Sequence, residues 1–221
     1  MFRRLRKLAD LIARFGSGSV ARICVLWSLR KICGYRAAMV YCLELDRIEI
    51  PARCQKLDWE FRGVHEIAPE LMHEGGYDLP GLERVLGPGG RCFIGSLDGV
   101  QCYLSLVSAD GFAISERVRV GFANAPDAYV GNCVTLEKYR GQGVYPCGLL
   151  QLGSRLRAEG NRRLYLFVEE ENLASIRSVA KVGFRAVAKC SGFKVGRLAK
   201  SRWRTLEKGI DTDWDVKVGA I

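Results

Sequence analysis

The chain has 221 residues, of which 48% are hydrophobic and 26% are charged, and its formal net charge is +10. These are the values of a globular protein, and the length suffices to bury a sizeable core in one domain with an appendage. Nine Lys and Arg residues against one acid, Asp10, lie within residues 1–36. The remaining chain is nearly balanced, which argues against a nucleic-acid-binding body and against nucleic acid as the main partner.

Residues 1–36 predict a basic helical arm, followed by a domain at residues 37–221. In the segment 2–15, basic residues surround an apolar stripe at helical spacing, formed by Phe2, Leu5, Leu8, Ile12 and Phe15. A Gly-Ser segment interrupts this pattern, and Ser19 is predicted to cap a second helix, Val20–Cys33. Neither helix is long and apolar enough to span a bilayer. Three interpretations stay open: binding to an anionic membrane surface, packing on the domain or a second subunit, and a transit peptide.

Nine cysteines occur in the chain, an odd number without any Cys-x-x-Cys motif. Most lie in apolar runs, so they are interpreted as small core residues in a reducing compartment and not as a disulfide framework. The expected location is cytoplasmic or the inner face of a membrane. The two histidines, His65 and His73, have no regular ligand spacing, so no metal site is predicted.

Short apolar runs separated by turn residues predict a series of strands. In chain order they are residues 37–50, Cys92–Ser96, Gln101–Val107, Ile114–Phe122, Ala128–Leu136, Leu164–Val168, Ala186–Cys190 and Phe193–Leu198. An Asp98-Gly99 turn joins the second and third runs as a hairpin. A short helix is predicted over Ile67–Met72 and a longer one over Val144–Arg157.

The sequence Arg140-Gly141-Gln142-Gly143 stands between the strand Ala128–Leu136 and the helix that begins at Val144. Two glycines let the backbone approach a ligand closely, and the first amides of a helix have no partner within it. The helix dipole and Arg140 add positive charge, so this turn suits a phosphate or pyrophosphate. The same pattern also fits a plain strand-to-helix turn with a surface arginine.

A second motif follows one strand–helix unit later. It comprises Asn172, Ser175, Lys181, Gly183 and Phe184. Together with Arg140, Gly141 and Gly143, it resembles the GNAT superfamily of acyl-CoA-dependent N-acyltransferases. The resemblance covers about residues 85–195. It implies an α/β fold with a mixed, centrally splayed sheet flanked by helices.

The resemblance also implies the cofactor site and the activity. Acetyl-CoA or another acyl-CoA would serve as co-substrate, and its acyl group would pass directly to a primary amine of a small acceptor, such as an amino sugar. By resemblance, the expected cofactor-binding residues are Val134, Thr135 and Leu136 for the pantetheine arm, Arg140, Gly141, Gln142, Gly143 and Val144 for the pyrophosphate, and Asn172 and Ser175 from the other side.

Two positions depart from the family pattern. Tyr145 stands where the family usually has Gly or Ala, and Val179 stands where many members have a tyrosine that protonates the leaving thiolate. The candidate catalytic residues are Glu169, as a base at the end of its strand, and Tyr129, which the resemblance places on the acceptor side. Glu169 also fits a solvated carboxylate within an acidic triplet. A GNAT-like protein that binds acyl-CoA without turnover and, less well supported, a nucleic-acid-binding protein are the alternative functions.

Overall fold

The computed structural model describes residues 13, 16–33, 35–86, 89–109, 111–115, 118–122, 126–195, 198–207 and 214–218. The helix predicted over residues 2–15 lies outside the described residues, apart from Ala13. The amphipathic character of that helix therefore stays a prediction, and so does the division of the chain at residue 36.

Helices and strands alternate along the described chain as in an α/β protein. The helices are α1 (Ser17–Cys33), α2 (Pro69–Gly75), α3 (Leu79–Leu86), α4 (Val144–Ala158) and α5 (Leu173–Val182). The strands are β1 (Arg36–Glu44), β2 (Asp58–Arg62), β3 (Arg91–Leu97), β4 (Val100–Ser108), β5 (Gly111–Ser115), β6 (Val118–Phe122), β7 (Asp127–Thr135), β8 (Arg163–Glu169), β9 (Arg185–Val195), β10 (Leu198–Thr205) and β11 (Trp214–Val218). Short 3-10 helices occupy Leu45–Arg47, Ala52–Lys56, Val64–Glu66 and Glu137–Tyr139. Within the described ranges, no helix has the length and apolar character needed to cross a membrane.

Eight of the strands form one sheet in the order β10–β9–β1–β8–β7–β4–β3–β2. Neighbouring strands are antiparallel except β7 and β8, which run parallel. Strand β1, the first strand of the described chain, lies between β8 and β9. A second sheet has the order β11–β6–β5. The predicted mixed α/β class is confirmed.

Two pairs of helices cover opposite faces of the large sheet. Phe93 of β3 packs in one cluster with α4 and α5, whereas its neighbours Cys92 and Ile94 pack in another cluster with α2 and α3. Because successive residues of a strand point to opposite faces, the two helix pairs lie on opposite sides. Leu149 of α4 and Leu71 of α2 have no exposed surface, so each layer is anchored by fully buried side chains.

Several sequence predictions are confirmed. The strands Ala128–Leu136 and Leu164–Val168 and the helix Val144–Arg157 correspond to β7, β8 and α4. The hairpin turn at Asp98-Gly99 is also present, with left-handed φ values of 50° and 76° at its two central residues.

Other predicted boundaries are wrong for local physical reasons. The predicted strand Ile114–Phe122 is two strands, β5 and β6, which pair with each other. The predicted strands Ala186–Cys190 and Phe193–Leu198 lie largely within one strand, β9, because Ser191 and Gly192 pair with β1 and do not form a turn. The last two corrections concern ends of elements. The strand predicted over residues 37–50 ends at Glu44, where a 3-10 helix begins, and α1 begins at Ser17, so Ser19 is not its cap.

Candidate functional site

Strands β7 and β8 separate near the middle of the sheet. They pair in parallel only where residues 127–129 face residues 163–165. Beyond this point β7 stays paired with β4, and β8 stays paired with β1. The carboxyl-terminal halves of β7 and β8 therefore border an opening in the sheet, which we call the splay.

Strand β7 bulges where it borders the splay. Leu104 and Leu106 of β4 pair with Val134 and Gly131 of β7. Two residue positions along β4 therefore correspond to three along β7, which is a β-bulge in β7. Asn132, within the bulge, has a left-handed φ of 50°. A Cβ added to Gly131 would lie 2.3 Å from the Tyr129 hydroxyl, so glycine is needed for this packing. A bulge leaves a backbone residue unpaired in the ladder, and here that residue lies at the splay.

Of the three residues at the carboxyl end of β7 that are expected to bind a pantetheine arm, Thr135 has its backbone turned toward the splay. The amide of Leu136 donates to the carbonyl of Cys102 at 3.0 Å, so it belongs to the ladder with β4. Because alternate residues present their backbone groups to opposite sides, Thr135 directs its own groups away from β4. The Thr135 carbonyl accepts a bond from Nε of Arg140 at 3.0 Å. Val134 pairs with Leu104, and its side chain is buried.

The glycine turn lies at the carboxyl end of β7 and opens helix α4. Gly141 and Gly143 have left-handed φ values of 77° and 82°, and a Cβ added to either would meet no atom within 4 Å. Gly143 is the N-cap of α4 and has no side chain to bond the first helical amides. These amides, which include that of Val144, are therefore available to an anion, and the helix dipole favours one there.

The polar side chains of the turn are held by the protein itself. Arg140 donates through Nη2 to the carboxylate of Glu74 on α2, in addition to its bond to Thr135. Nε2 of Gln142 donates to the carbonyl of Lys138 at 2.8 Å. Both side chains fix the shape of the turn, and Glu74 offsets part of the positive charge that Arg140 brings.

Tyr145, the bulky residue of the first turn of α4, points into the core and not across the glycine turn. Its ring centroid lies 6.4 Å from that of Tyr103 on β4, and it packs on the cluster beneath α4. Burial and the neighbouring Cys133 raise the pKa of Tyr145 above its ordinary value, so the phenol stays protonated. Burial likewise raises the pKa of Cys133 to about 12, so this thiol is protonated at neutral pH.

The second motif forms the two ends of α5. Asn172 is the N-cap, and its side-chain oxygen accepts the amide of Ser175 at 3.1 Å. Gly183 ends the helix with a left-handed φ of 101°, and Phe184 is buried. The capping bond uses only the side-chain oxygen of Asn172, an exposed residue beside the carboxyl end of β8. Val179, where many family members have tyrosine, has no exposed surface.

Comparisons with known proteins bear on the fold. No protein-family model matches the chain, and no curated protein matches it. Among solved structures, a GNAT-family acetyltransferase from Colwellia psychrerythraea is 12% identical with a TM-score of 0.53, covering 72% of this chain and 56% of that chain. A GCN5-related N-acetyltransferase from Kribbella flavida is 14% identical with a TM-score of 0.51, covering 72% of this chain and 58% of the other. The chain has the GNAT fold.

A third solved structure with a similar fold is a GCN5-related glucosamine N-acetyltransferase region of a fungal multi-domain GH3 β-N-acetylglucosaminidase. It is 12% identical with a TM-score of 0.51, and the match covers 77% of this chain and 22% of that chain. The present chain thus spans less than three fifths of the length of each of these three structures. At these identities the likeness concerns the fold alone.

Within the GNAT fold, the two candidate catalytic residues lie on the same side of the sheet. Tyr129 stacks on Phe167 of β8 with ring centroids 5.9 Å apart and an interplanar angle of 16°. Glu169 follows two residues after Phe167, so the two side chains share a face of β8. The Glu169 side chain is 40% exposed and lies 3.6 Å from Nη1 of Arg36. Burial raises the pKa of Tyr129 well above its ordinary value, with Cys133 and Tyr77 adding to the effect, so this phenol is neutral.

Sequence reasoning missed the carboxylate next to Glu169. Glu170 is 5% exposed and bonds Arg22 of α1 at 2.7 Å and Lys189 of β9 at 2.5 Å. An acidic triplet gives no sign of which member is buried, because a turn at the end of β8 decides it. The bulge at Gly131-Asn132 was also missed, although a glycine within a strand pattern is a signal for one.

The expectation that all cysteines are unpaired core residues is wrong in one case. Cys54 and Cys147 form a disulfide across 93 positions of sequence, joining the 3-10 helix Ala52–Lys56 to the first turn of α4. Such a separation leaves no motif in the sequence, because α4 brings the two residues together only in the folded chain. The remaining described cysteines whose side chains are placed are free.

Both histidines are exposed. His65 is on a 3-10 helix with a side chain that is 73% exposed, and His73 is on α2. Among the described residues, no group of three or more His, Cys, Asp or Glu side chains is close enough to hold a metal ion.

A cavity of about 420 Å³ lies at the other end of the sheet from the glycine turn. Its lining includes Glu44, Arg53, Lys181 and Arg185. Glu44 pairs with Arg163 at the amino end of β8, whereas the splay borders the carboxyl end. This cavity therefore takes no part in the candidate site.

Proposed function

We propose that the protein is an acyl-CoA-dependent N-acyltransferase that acylates a primary amine of a small acceptor, with acetyl-CoA as the expected donor. One observation carries the proposal: a glycine turn with two left-handed residues opens α4 directly beside the splay between β7 and β8. A helix N-terminus of this kind receives a pyrophosphate, and the splay receives an extended chain that can bond the backbone of β7.

The residues of the site would act mainly by positioning. The amides between Gly141 and Val144 would hold the pyrophosphate, and the backbone of Thr135 would pair with the pantetheine amides. A backbone N–H of the bulge around Asn132 would face the thioester oxygen, where negative charge develops when the amine attacks. Holding the thioester and the amine in reacting geometry lowers the activation barrier, because their translational and rotational entropy is lost on binding and not in the reaction step.

Proton transfer would fall to the face of the sheet that carries Tyr129 and Glu169. The attacking amine must lose a proton, and Glu169 is a carboxylate with an exposed edge at the end of β8. Tyr129 is neutral and would donate a hydrogen bond toward the acceptor. The leaving thiolate would take its proton from water at the open end of the splay, because Val179 has no ionisable group and is fully buried.

The test combines a binding measurement with an activity panel. Isothermal titration calorimetry with CoA measures the first step. CoA release from acetyl-CoA and from a long-chain acyl-CoA is then followed with an amino sugar, a small polyamine, an amino acid and a peptide N-terminus. An amino sugar belongs in the panel because one structure of the same fold is a glucosamine N-acetyltransferase region. CoA release that rises with one acceptor supports the proposal, and absence of CoA binding contradicts it.

The second candidate is a GNAT-like protein that binds acyl-CoA without turnover. The buried Val179, at the position of the family's usual proton donor, favours this candidate. It predicts the same CoA affinity in calorimetry but no increase of CoA release with any acceptor in the panel.

A further inference from the structure

Helix α1 is attached to the GNAT-like domain along one side. Val20 is 5% exposed, and Ile23 and Leu26 are partly buried. Arg22 bonds the buried carboxylate of Glu170, which follows β8. The helix is therefore docked onto the domain by apolar packing and by an ion pair to a buried carboxylate.

The side of α1 that faces away from the domain is also apolar. Ala21, Val25, Leu29 and Ile32 recur at intervals of four, four and three residues, which aligns them along one face of a helix with 3.6 residues per turn. Val25 is 58% exposed and Ile32 is 78% exposed. We call these four residues the outer stripe. Two apolar sides on one helix exceed what packing on the domain requires.

The net positive charge of the N-terminal segment selects the partner of the outer stripe. Helix α1 has basic residues and no acidic ones, and residues 1–16 add five more basic residues against Asp10 alone. A second copy of this chain would bring a segment of the same positive charge and would be repelled. An anionic bilayer offers both an apolar interior for the stripe and negative headgroups that attract a segment rich in Arg and Lys.

We propose that the outer stripe of α1 docks on anionic lipid bilayers and makes the protein a peripheral membrane protein. The proposal is independent of the acyltransferase activity, because the stripe lies on α1 and none of its residues belongs to the candidate site. It also accounts for the concentration of positive charge in residues 1–36, because an anionic surface attracts a basic segment. Binding of this kind is reversible and is weakened by salt, because exposed charges are screened within about 8 Å at physiological ionic strength.

The experiment is co-sedimentation of the full chain with vesicles of phosphatidylcholine alone and with vesicles that contain phosphatidylglycerol. The test variant Val25→Glu/Ile32→Glu places two negative charges on the outer stripe. The matched control, Val85→Glu/Val100→Glu, replaces two valines that are 54% and 46% exposed on the body of the domain. Wild type and control are expected to sediment with anionic vesicles only, and the test variant to bind roughly tenfold or more weakly.

Circular dichroism and thermal unfolding accompany each variant. A test variant that unfolds like the wild type but has lost vesicle binding supports the proposal. Three results would overturn it: a wild-type protein that stays in the supernatant at low salt, equal binding by the test variant, or binding to neutral vesicles alone. If the wild type does not bind vesicles and the test variant unfolds at a lower temperature, the proposal is wrong and the stripe packs against another part of this chain.

Discussion

Nη2 of Arg22 lies 2.7 Å from Oε2 of Glu170, and this bond ties helix α1 to the residue that follows β8. Nζ of Lys189 lies 2.5 Å from the other carboxylate oxygen. The Glu170 side chain is only 4% exposed, so two cations compensate one buried carboxylate. A buried charge is costly unless it is paired in this way. The N-terminal helix is thus held beside the strand that borders the splay.

Acid is expected to weaken this attachment. Burial alone would raise the pKa of Glu170, but the bonds from Lys189 and Arg22 outweigh burial and hold the pKa below its ordinary value of 4.5. A lowered folded-state pKa contributes stability that is present above the unfolded-state pKa and is lost as pH falls through the folded-state pKa. The free energy of unfolding, measured by urea titration, should therefore fall as pH drops below 4.5.

Glu170→Gln identifies the group responsible. The variant should lose stability at neutral pH, by about 1.5–3 kcal/mol, the range of a hydrogen bond to a charged group. It should also show a smaller loss on acidification than the wild type. Glu171→Gln replaces the next carboxylate and serves as the control. An equal acid dependence in wild type and Glu170→Gln would contradict the assignment.

The glycine turn provides the sharpest test of cofactor binding. Gly143→Val places a branched side chain where the amides must approach a pyrophosphate, so the affinity for CoA should fall strongly. The control is Gly160→Val at the other end of α4. Gly160 has a φ of 93° and, like Gly143, has no atom within 4 Å of an added Cβ. Both variants incur a similar backbone strain of roughly 1–2 kcal/mol.

Calorimetry with CoA separates two effects of the substitution: blocked access of the ligand to the turn amides, and backbone strain. If the affinity for CoA falls in Gly143→Val and is unchanged in Gly160→Val, the turn holds the ligand. If both variants keep the wild-type affinity, the turn is a plain strand-to-helix connection.

Much of this site could be predicted from the sequence, because the relevant signals are local. Two glycines between a strand pattern and a helix pattern are visible in one short stretch of sequence. Asn172 followed by Ser175 likewise indicates a helix cap. The splay itself could not be derived from the residues alone, since it depends on where the pairing of β7 with β8 ends. Contacts such as Cys54–Cys147 join segments that are far apart in sequence, and no local pattern records them.

Introducing at position 179 the tyrosine that many GNAT proteins have there is expected to destabilise the protein. Val179 has no exposed surface and packs in the core beneath α5. A tyrosine there adds a ring and a hydroxyl to a filled space, which should lower the free energy of unfolding by about 1–3 kcal/mol. Chemical denaturation checks the prediction, and wild-type stability with faster CoA release would contradict it.

Glu169 is the candidate base, and its substitution should change the pH profile. In Glu169→Gln, kcat/KM should fall, and the limb of the pH–rate profile that reports the base should disappear. General bases contribute roughly 10²–10⁴-fold, which sets the expected loss. Glu171→Gln is again the matched control. An unchanged pH–rate profile in Glu169→Gln would contradict the assignment of Glu169 as the general base and would indicate that water accepts the proton of the amine.

The disulfide should stabilise the fold without controlling ligand binding. It closes a loop of 93 residues, and native disulfides typically contribute about 2–4 kcal/mol. Cys54→Ala/Cys147→Ala should therefore have a lower free energy of unfolding than oxidised wild type. Reductant should lower the free energy of unfolding of the wild type but not that of the double variant. Cys92→Ala, which removes a buried free thiol, should keep the response to reductant.

The affinity for CoA should change little on reduction. The carbonyl of Cys54 still accepts bonds from Nε1 of Trp59 at 3.1 Å and from Nε2 of Gln151 on α4 at 3.2 Å, and these bonds keep the segment beside α4. Calorimetry with CoA, with and without reductant, tests this separation of stability from binding. A large loss of affinity on reduction would mean that the disulfide also sets the position of the α4 N-terminus.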